Sequence, residues 1–339
     1  MALPGPDYDP DAPAAGGDGL FGLPHAPDEA AVVVIPVPFE ATASSGKGTA
    51  GAPEAVRVAS HQVDLHDPLT PDTWRKGVAM APVPGDIEAW NEEACRLALP
   101  ILEAGGADGH AFAQARVNEL GKLVNTAVHD ETKRRLLARQ IPAVLGGDHS
   151  VAFGAIKAAA EMNPGMGVLH IDAHADLREA YMGFTWSHAS LMYNVVNRVP
   201  HLGHLVQVGI RDFGRAEAER IEQSGKITAF TDHELAWELG SGENWMRIAA
   251  RIVRALPPKV WVSFDVDGLD PSLCPNTGTP VPGGLSWRHT KLLLQLLGQR
   301  HQIVGFDVCE VGTGPMDANV GARVLYQLAG WATHPPTEG

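Results

Sequence analysis

Short apolar runs alternate with longer amphipathic stretches along most of the chain. The runs, rich in Val, Ile and Leu, predict strands at residues 31–37, 77–82, 141–145, 166–171, 205–210, 227–230, 260–264 and 303–308. Helical periodicity predicts helices near residues 53–60, 112–139, 151–162, 189–199, 244–255, 287–299 and 320–328. Continuously apolar strands are typical of a parallel sheet that is covered on both faces. The pattern therefore predicts an α/β fold, a three-layer α-β-α sandwich around a doubly wound, mainly parallel sheet.

The first 30 residues do not follow this pattern. They are rich in Pro, Gly, Ala and Asp, and no Lys or Arg precedes Lys47. Because such a composition cannot bury a core, we predict an acidic, Pro/Gly-rich N-terminal arm over residues 1–30. A single catalytic domain is predicted over residues 31–339. The apolar residues 19–24 are the part of the arm that could pack against the body or against a neighbouring subunit.

Composition and charge narrow the class of protein. A chain of 339 residues, 45% of them hydrophobic, suits one large domain. The formal net charge of −14 argues against nucleic-acid or membrane partners and favours a cationic one. No apolar run approaches the roughly 18 residues of a membrane helix, and no signal-peptide pattern opens the chain. The three cysteines show no paired spacing, so we predict a reduced, cytoplasmic protein.

Acidic and imidazole side chains directly follow three of the predicted strands. They are His149, then Asp172, His174 and Asp176, then Asp265 and Asp267. Because the carboxyl ends of neighbouring parallel strands meet at one edge of a sheet, we expect these side chains to converge. Carboxylate and imidazole without thiolate suit manganese or a similar divalent ion, and six ligands suffice for two ions. Any one of them could be a helix cap or a turn residue, but three clusters together favour a dinuclear metal site, with Asp148 and His170 in supporting roles.

These clusters resemble the motifs of the ureohydrolase family, which includes arginase, agmatinase, guanidinobutyrase and formimidoylglutamase. The matching segments are GGDHS at 146–150, DAHAD at 172–176, SFDVDGLDP at 263–271 and TGTP at 277–280, followed by Gly283, Gly284 and Glu310. They occur in the family's order across roughly residues 32–328. The resemblance implies an arginase-like fold and an amidinohydrolase activity.

The resemblance also implies a role for each site residue. One manganese ion would be held by His149, Asp172, Asp176 and Asp265, and the other by His174, Asp172, Asp265 and Asp267. Asp172 and Asp265 would thus bridge the two ions. Glu310 would hold the guanidinium group of the substrate, and His188 would act as a proton shuttle or substrate contact. Asp176 would carry a proton to the departing nitrogen.

The expected reaction is hydrolysis of a guanidinium C–N bond, which releases urea and either an amine or ammonia. No counterpart is visible of the polar loop with which arginases bind an amino acid. Trp186 and Trp287 could place aromatic surface near the pocket mouth, which suits a small flat cation, although core packing also explains them. Thr42 could add a hydroxyl acceptor. The favoured substrate is guanidine or a small alkylguanidine, as in the guanidine hydrolase branch, where nickel can replace manganese.

Several alternatives remain open. The substrate could be that of an agmatinase, a guanidinobutyrase or an arginase. A non-catalytic subunit of a hetero-oligomer would be expected to lose metal ligands, and all six are present. A deacetylase-like hydrolase would use a single zinc and would not need His174 and Asp267, whereas a dinuclear phosphoesterase would not need the ordered motifs. Because ureohydrolases are commonly trimers or hexamers, the resemblance also implies a homo-oligomer.

Overall fold

One parallel sheet forms the centre of the molecule. The computed structural model describes residues 8–14, 19–45 and 47–336. Eight strands are found in these residues: β1 (Val32–Val37), β2 (Val78–Met80), β3 (Ile141–Gly146), β4 (Gly167–Ile171), β5 (Leu205–Val208), β6 (Ile227–Phe230), β7 (Lys259–Asp265) and β8 (Gln302–Cys309). They lie in the order β2-β1-β3-β8-β7-β4-β5-β6, and each neighbouring pair is parallel. The predicted α/β class is confirmed, and the described sheet is wholly rather than mainly parallel.

Helices cover both faces of the sheet. The described residues form α1 (Ala52–Ser60), α2 (Thr73–Lys76), α3 (Ile87–Ala104), α4 (Ala111–Leu137), α5 (Phe153–Met162), α6 (Leu191–Arg198), α7 (Arg215–Gln223), α8 (Asp232–Gly240), α9 (Trp245–Arg254), α10 (Trp287–Arg300) and α11 (Pro315–Thr333). None of the helices in this part of the chain has both the length and the hydropathy needed to cross a membrane.

The alternation of side chains along β1 shows why the strands are apolar throughout. Every residue of β1 is buried. Val32 and Val34 belong to the core beneath α1, α9, α10 and α11, whereas Ile35 and Val37 belong to the core beneath α3, α4, α5 and α6. Because successive side chains of a strand point to opposite faces, a strand between two helical layers is apolar at most positions on both faces.

Part of the predicted N-terminal arm packs against the body. Leu20, Phe21 and Leu23 are almost fully buried. The ring of Phe21 lies 4.9 Å from the ring of Tyr326 on α11, and its N–H donates to Oγ of Ser60 on α1 at 2.8 Å. Residues 1–7 and 15–18 of the arm lie outside the described residues. The apolar segment at 19–24 therefore packs against α1 and α11.

The structure adds four helices to those predicted and lengthens another. Helices α2, α3, α7 and α8 were not predicted, and α11 extends well beyond the predicted residues 320–328. Helix α3 contains Pro100, which usually ends a helix, although its four buried residues, Ile87, Ala94, Ala98 and Ile101, recur at helical spacing along one face. Helix α11 begins at Pro315, a first-turn position where a missing N–H costs nothing.

Candidate metal centre and substrate cavity

The carboxyl ends of four adjacent central strands, β3, β8, β7 and β4, form the floor of the candidate site. There, Nδ1 of His149 lies 3.1 Å from Oδ2 of Asp172 and 3.4 Å from Oδ2 of Asp176. It also lies 3.2 Å from Oδ2 of Asp265. Residues that follow three different strands thus meet within reach of one ion.

A second group of ligand atoms forms around His174. Its Nδ1 lies 3.0 Å from Oδ2 of Asp267 and 3.5 Å from Oδ1 of Asp172. The N–H of Ala173 donates to Oδ1 of Asp267 at 3.0 Å, and the N–H of Asp267 donates to Oδ1 of Asp265 at 2.8 Å. The structure therefore brings the six predicted ligands into two adjacent groups, and Asp172 directs one oxygen toward each.

Two acidic residues of the site have a left-handed backbone. The φ angle is +54° at Asp176 and +59° at Glu310. This conformation costs a residue other than glycine roughly 1–3 kcal/mol and is found most often at functional sites. The N–H of Glu310 donates to the carbonyl of Gly147, and its Oε1 accepts from the N–H of His149, both at 2.9 Å. Glu310 is thereby fixed to the loop that carries His149.

The cluster holds more negative charge than its own imidazoles can balance. Burial, together with Asp267 and Asp172, raises the pKa of Asp265 well above its ordinary value. Burial and the charge of Asp172 likewise raise the pKa of Asp176. Burial lowers the pKa of His174, but hydrogen bonds to Asp172 and Asp267 outweigh it and raise that pKa to about 12. Buried carboxylates in this arrangement require added positive charge or protons.

The donor set fits divalent metal ions. Four carboxylates and two imidazoles converge without a thiolate, and such a set suits Mn²⁺ and can also hold Ni²⁺. Cys309 lies close by, but burial raises the pKa of its thiol well above the ordinary value. Because the thiolate is the form that ligates metals, the neutral thiol of Cys309 is a poor candidate for a ligand.

Metal-free protein is expected to lose stability as the pH rises from about 6 to about 8. The folded-state pKa values of His149 and His174 are raised, that of His174 to about 12, so their contribution is complete below about pH 6.5 and is lost progressively as the pH rises toward the folded-state values. The raised pKa values of Asp176 and Asp265 have the same sign of effect, because each carboxyl stabilises the fold below its unfolded pKa and loses that contribution as the pH rises through its folded pKa.

A divalent ion should replace those protons, so the gain in melting temperature on adding Mn²⁺ is expected to be larger at about pH 8 than at about pH 6. At about 100 times its Kd, the ion would add roughly 2.7 kcal/mol of stability. Thermal unfolding in chelator and in Mn²⁺, followed at both pH values, measures the difference. An equal gain at the two pH values would contradict the prediction.

A buried carboxylate on β8 orients His149 through its second nitrogen. Nε2 of His149 lies 2.9 Å from Oγ of Ser263 and 3.2 Å from Oδ1 of Asp307. Asp307, which is fully buried, also accepts from the hydroxyl of Ser263 at 2.9 Å and from Nε1 of Trp261 at 2.6 Å. Because the proton of His149 is then held on Nε2, its Nδ1 keeps a lone pair for a metal ion.

Replacing Asp307 by asparagine is expected to weaken Mn²⁺ binding about 10- to 100-fold, as is usual when an acceptor behind a ligating histidine is lost. The amide keeps the shape, but its NH₂ group cannot accept a hydrogen bond from the indole or the imidazole. Titration of the metal-free variant with Mn²⁺ measures the affinity. Ser272→Ala, in an exposed turn, is the control, and an unchanged affinity of Asp307→Asn would refute the role.

His170 supports Asp172 in a similar way. Its Nε2 lies 2.8 Å from Oδ2 of Asp172, and its Nδ1 lies 2.9 Å from the amide nitrogen of Gln207. The same amide nitrogen donates to the carbonyl of Ala175 at 2.8 Å. Since Gln207 donates to Nδ1, the proton of His170 is on Nε2 and points to Asp172. These contacts favour the supporting role predicted for His170.

A small cavity opens beside the ligand cluster. Its volume is about 150 Å³. Three predicted site residues line it, namely His174, Asp176 and His188, together with Ser44, Arg178, Tyr181, Ala189, Asp212, Glu217 and Thr279. Glu310, which is 6% exposed, is not part of this lining. The two ligands in the lining show that the cavity gives access to the candidate metal centre.

Among the charged residues in the cavity wall, Arg178 and Glu217 pair with each other and Asp212 does not form an ion pair with any described residue. Nε of Arg178 lies 3.4 Å from Oε2 of Glu217, and its guanidinium lies 4.8 Å from the centre of the Tyr181 ring. The carboxylate of Glu217 also accepts from the N–H groups of Leu177 and Gly214, at 3.0 and 2.8 Å. By contrast, the carboxylate of the exposed Asp212 forms no hydrogen bond or ion pair with any described residue. The wall therefore offers an unpaired negative charge.

Besides Glu310, three residues predicted to bind substrate lie outside the cavity lining. Thr42 is buried, and its hydroxyl donates to Oδ2 of Asp148 at 2.9 Å. The ring of Trp186 packs against the ring of Phe153, with 5.0 Å between centres, and Trp287 packs against the apolar core at the start of α10. The two tryptophans therefore occupy the helical layers and do not form an aromatic pocket mouth; Tyr181 is the aromatic residue in the lining.

Sequence reasoning missed several residues of the site. Asp307 and Gln207 are polar residues inside the buried strands β8 and β5. A polar residue within an apolar strand was the sequence feature by which they could have been found. Asp212 and Arg211 follow β5 directly and could have been found by the rule that identified the ligands. The guanidinium of Arg211 donates to the carbonyls of residues 209, 267, 269 and 281 and so joins three loops around Asp267.

The sequence matches known proteins over nearly its whole length. A family model described as Arginase family matches residues 30–330. An N(1)-aminopropylagmatine ureohydrolase of Thermus thermophilus is 33% identical over 316 residues, which cover 92% of this chain and 94% of the relative. Proclavaminate amidinohydrolase of Streptomyces clavuligerus is 28% identical, with 91% of each chain covered.

Solved structures share the fold. A hypothetical agmatinase from Burkholderia thailandensis superposes with a TM-score of 0.72 at 23% identity, covering 93% of this chain and 90% of its own. The agmatine ureohydrolase of Thermoplasma volcanium gives a TM-score of 0.71 at 21% identity, with 93% and 94% covered. The arrangement of sheet and helices described above is therefore that of these proteins.

Proposed function

This chain belongs to the arginase family and is a ureohydrolase, and from that premise we propose that it cleaves a guanidinium C–N bond with two divalent metal ions, Mn²⁺ or Ni²⁺. The observation that carries the proposal is the convergence of six ligands in two groups that share Asp172, beside a cavity lined by His174 and Asp176. A non-catalytic subunit would have no need for this complete ligand set.

Each residue of the site has a chemical task in this proposal. When bound, two divalent ions lower the pKa of a water molecule and so supply a nucleophile near neutral pH. Asp176 lines the cavity and can accept a proton from the attacking water. Glu310 would compensate the charge of the guanidinium, and His188 would accept one of its N–H groups or carry a proton. Fixing the planar cation in one orientation lowers the barrier further.

The atoms and protons of the reaction balance. The water oxygen bonds to the guanidinium carbon while one C–N bond breaks. Of the two water protons, Asp176 takes one and passes it to the departing nitrogen, and the second follows when the C=O bond of urea forms. The products are urea and an alkylammonium ion, or ammonium when the substrate is guanidine. Net charge is conserved, so the chain has to move protons but needs no external base.

Guanidine or a small alkylguanidine is the substrate that we favour. The cavity of about 150 Å³ is well below the roughly 300–1,000 Å³ of pockets that take drug-sized ligands. The small volume and the acidic wall together favour a small cation.

A second candidate is a guanidine that carries an amine on its alkyl chain. Two observations favour it: the unpaired carboxylate of Asp212 in the cavity wall, and the similarity to a ureohydrolase whose name specifies N(1)-aminopropylagmatine. An ammonium group at the far end of the substrate could pair with Asp212. Agmatine is the simplest compound of this kind.

Urea release from a panel of guanidino compounds separates these candidates. The panel contains guanidine, methylguanidine, agmatine, N(1)-aminopropylagmatine, 4-guanidinobutyrate and arginine, each assayed with Mn²⁺ and with Ni²⁺. We expect the highest kcat/KM with guanidine or methylguanidine, whereas a preference for agmatine and N(1)-aminopropylagmatine, the two amine-bearing guanidines, would establish the second candidate.

In that second case, Asp212→Asn should lower kcat/KM about fivefold for the amine-bearing substrates alone, as loss of an exposed ion pair predicts. No urea from any compound would overturn the proposed function.

The assembly and the location of the protein stay predictions. We propose a homo-oligomer, a trimer or a hexamer, located in the cytoplasm. Light scattering coupled to size-exclusion chromatography gives the number of subunits directly.

A further inference from the structure

Asp148 is a buried carboxylate with a hydrogen-bond donor at every acceptor position. Its Oδ2 accepts from the hydroxyl of Thr42 at 2.9 Å and from the N–H of Thr42 at 3.2 Å. Its Oδ1 accepts from the N–H of Ser150 at 3.1 Å and from the hydroxyl of Ser150. An ionised carboxylate has about four such positions. Two of the donors are backbone N–H groups that cannot reverse. Burial raises the pKa of Asp148, whereas these hydrogen bonds lower it and favour the ionised carboxylate, to which the hydroxyl of Thr42 then donates.

The same hydroxyl oxygen faces His188. Oγ1 of Thr42 accepts from the backbone N–H of His188 at 3.1 Å and lies 3.3 Å from its Nδ1. An oxygen that has given its only proton to Asp148 can serve only as an acceptor toward Nδ1. The hydrogen on this pair must therefore come from the imidazole, which places the proton of His188 on Nδ1.

We propose that Asp148 and Thr42 hold the proton of His188 on Nδ1, and that this leaves Nε2 as an acceptor for the cavity. No described residue hydrogen-bonds to Nε2 of His188, and His188 lines the cavity. A neutral imidazole with a free lone pair on Nε2 can accept a hydrogen bond from an N–H of a guanidinium cation. An imidazole with a hydrogen on Nε2 has no acceptor there and would point that hydrogen at the N–H of the cation. The identity of that cation rests on the proposed function.

Thr42 is thus a positioning residue that acts through His188. Its hydroxyl donates one hydrogen bond and accepts two, so all of its hydrogen-bonding capacity is used within the protein. It is also 2% exposed. This changes the expectation from the sequence, in which the Thr42 hydroxyl would itself accept a hydrogen bond from the substrate.

The test compares Thr42→Val, which keeps the shape and removes the hydroxyl, with Thr42→Ser, which keeps the hydroxyl. Thr42→Val should lower kcat/KM for urea release about 10- to 100-fold, the usual effect of losing a residue that orients a functional histidine. Thr42→Ser should stay within about threefold of the unmodified protein. Thr290→Val, which removes a buried threonine hydroxyl on α10, is the matched control and should leave kcat/KM unchanged.

A direct readout of the tautomer makes the test independent of activity. Nitrogen-15 NMR of histidine-labelled protein, loaded with diamagnetic Zn²⁺ and assigned with a His188→Asn variant, reports which ring nitrogen carries the proton. We expect Nδ1 in the unmodified protein and in Thr42→Ser, and a loss of that preference in Thr42→Val.

Three results would overturn the inference: a proton on Nε2 in the unmodified protein, full activity of Thr42→Val, or equal losses in Thr42→Ser and Thr42→Val. If the unmodified protein releases no urea from any guanidino compound, the proposed function fails, but the NMR experiment still decides whether Thr42 fixes the tautomer of His188. The two failures are therefore distinguishable.

Discussion

Replacing Asp265 by alanine is expected to lower kcat/KM for urea release by about 10³-fold or more, because removing a shared ligand forfeits several kcal/mol of metal-dependent stabilisation at about 1.4 kcal/mol per tenfold in rate. Oδ2 of Asp265 lies 3.2 Å from Nδ1 of His149, and Oδ1 accepts the N–H of Asp267 at 2.8 Å. The substitution therefore removes one ligand and loosens another.

Loss of the Asp265 carboxylate should reduce activity but should not reduce the stability of the metal-free protein. Burial, Asp267 and Asp172 raise the pKa of Asp265 well above its ordinary value, so its ionised form destabilises the metal-free fold. Asp265→Asn, which keeps the shape, should therefore not lower the melting temperature of metal-free protein near neutral pH, although it abolishes activity. A general folding defect would lower both.

The measurements are urea release, bound metal per chain and thermal unfolding in chelator. Asp270→Ala is the control, since its carboxylate contacts the N–H and hydroxyl of Ser272 in the same loop and none of the six ligands. We expect Asp270→Ala to retain most of its activity. Full activity of Asp265→Ala would refute the assignment of a bridging ligand.

The sheet could be predicted from the sequence because its strands have no polar face. In β7, the residues from Val260 to Asp265 are all buried, and Ser263 is the one polar residue before Asp265. Strands of this kind have one physical solution, a parallel sheet between two helical layers. The order of the strands could not be obtained in this way, because local periodicity does not record which strands are neighbours.

Helices α7 and α8, which were missed, each have a single buried residue and so lack the apolar stripe on which prediction depends. In α7, the only fully buried residue is Glu217, whose carboxylate accepts the N–H groups of Gly214 and Leu177. This helix is stabilised by its capping contacts and by its position, which depend on tertiary structure. Periodicity alone therefore reports it as a polar loop.

The convergence of the six candidate ligands could be predicted, because each lies at or just beyond the carboxyl end of a buried strand. The residues that hydrogen-bond to these candidate ligands could not be predicted. The contact between Nε2 of His149 and Asp307 joins residues that are 158 positions apart. Similarly, the sequence does not distinguish a tryptophan that lines a pocket from one that packs in a core. In the structure, Trp186 packs against Phe153. Only the three-dimensional arrangement distinguishes these cases.

Glu310→Gln is expected to lower kcat/KM about 10²- to 10³-fold, mainly through a higher KM, because loss of one partner of a buried ion pair costs about 3–5 kcal/mol. Burial, together with the charge of Asp148, raises the pKa of Glu310 well above its ordinary value, so the carboxylate lacks a cation in the free protein. A bound guanidinium would supply that cation. Glutamine can still accept the N–H of His149, which Oε1 of Glu310 accepts at 2.9 Å, so the loop should keep its place.

The pH profile gives a second, independent test of Glu310. A raised pKa means that the carboxyl is neutral at low pH and becomes able to bind a cation as the pH rises through that value. The kcat/KM of the unmodified protein should therefore rise with pH on its acid side, and Glu310→Gln should lack the part of this rise that Glu310 causes. Bound metal should be equal in the two proteins. An unchanged KM in Glu310→Gln, with an unchanged acid limb, would mean that the guanidinium is held by other residues, of which Asp176 in the cavity lining is the first to examine.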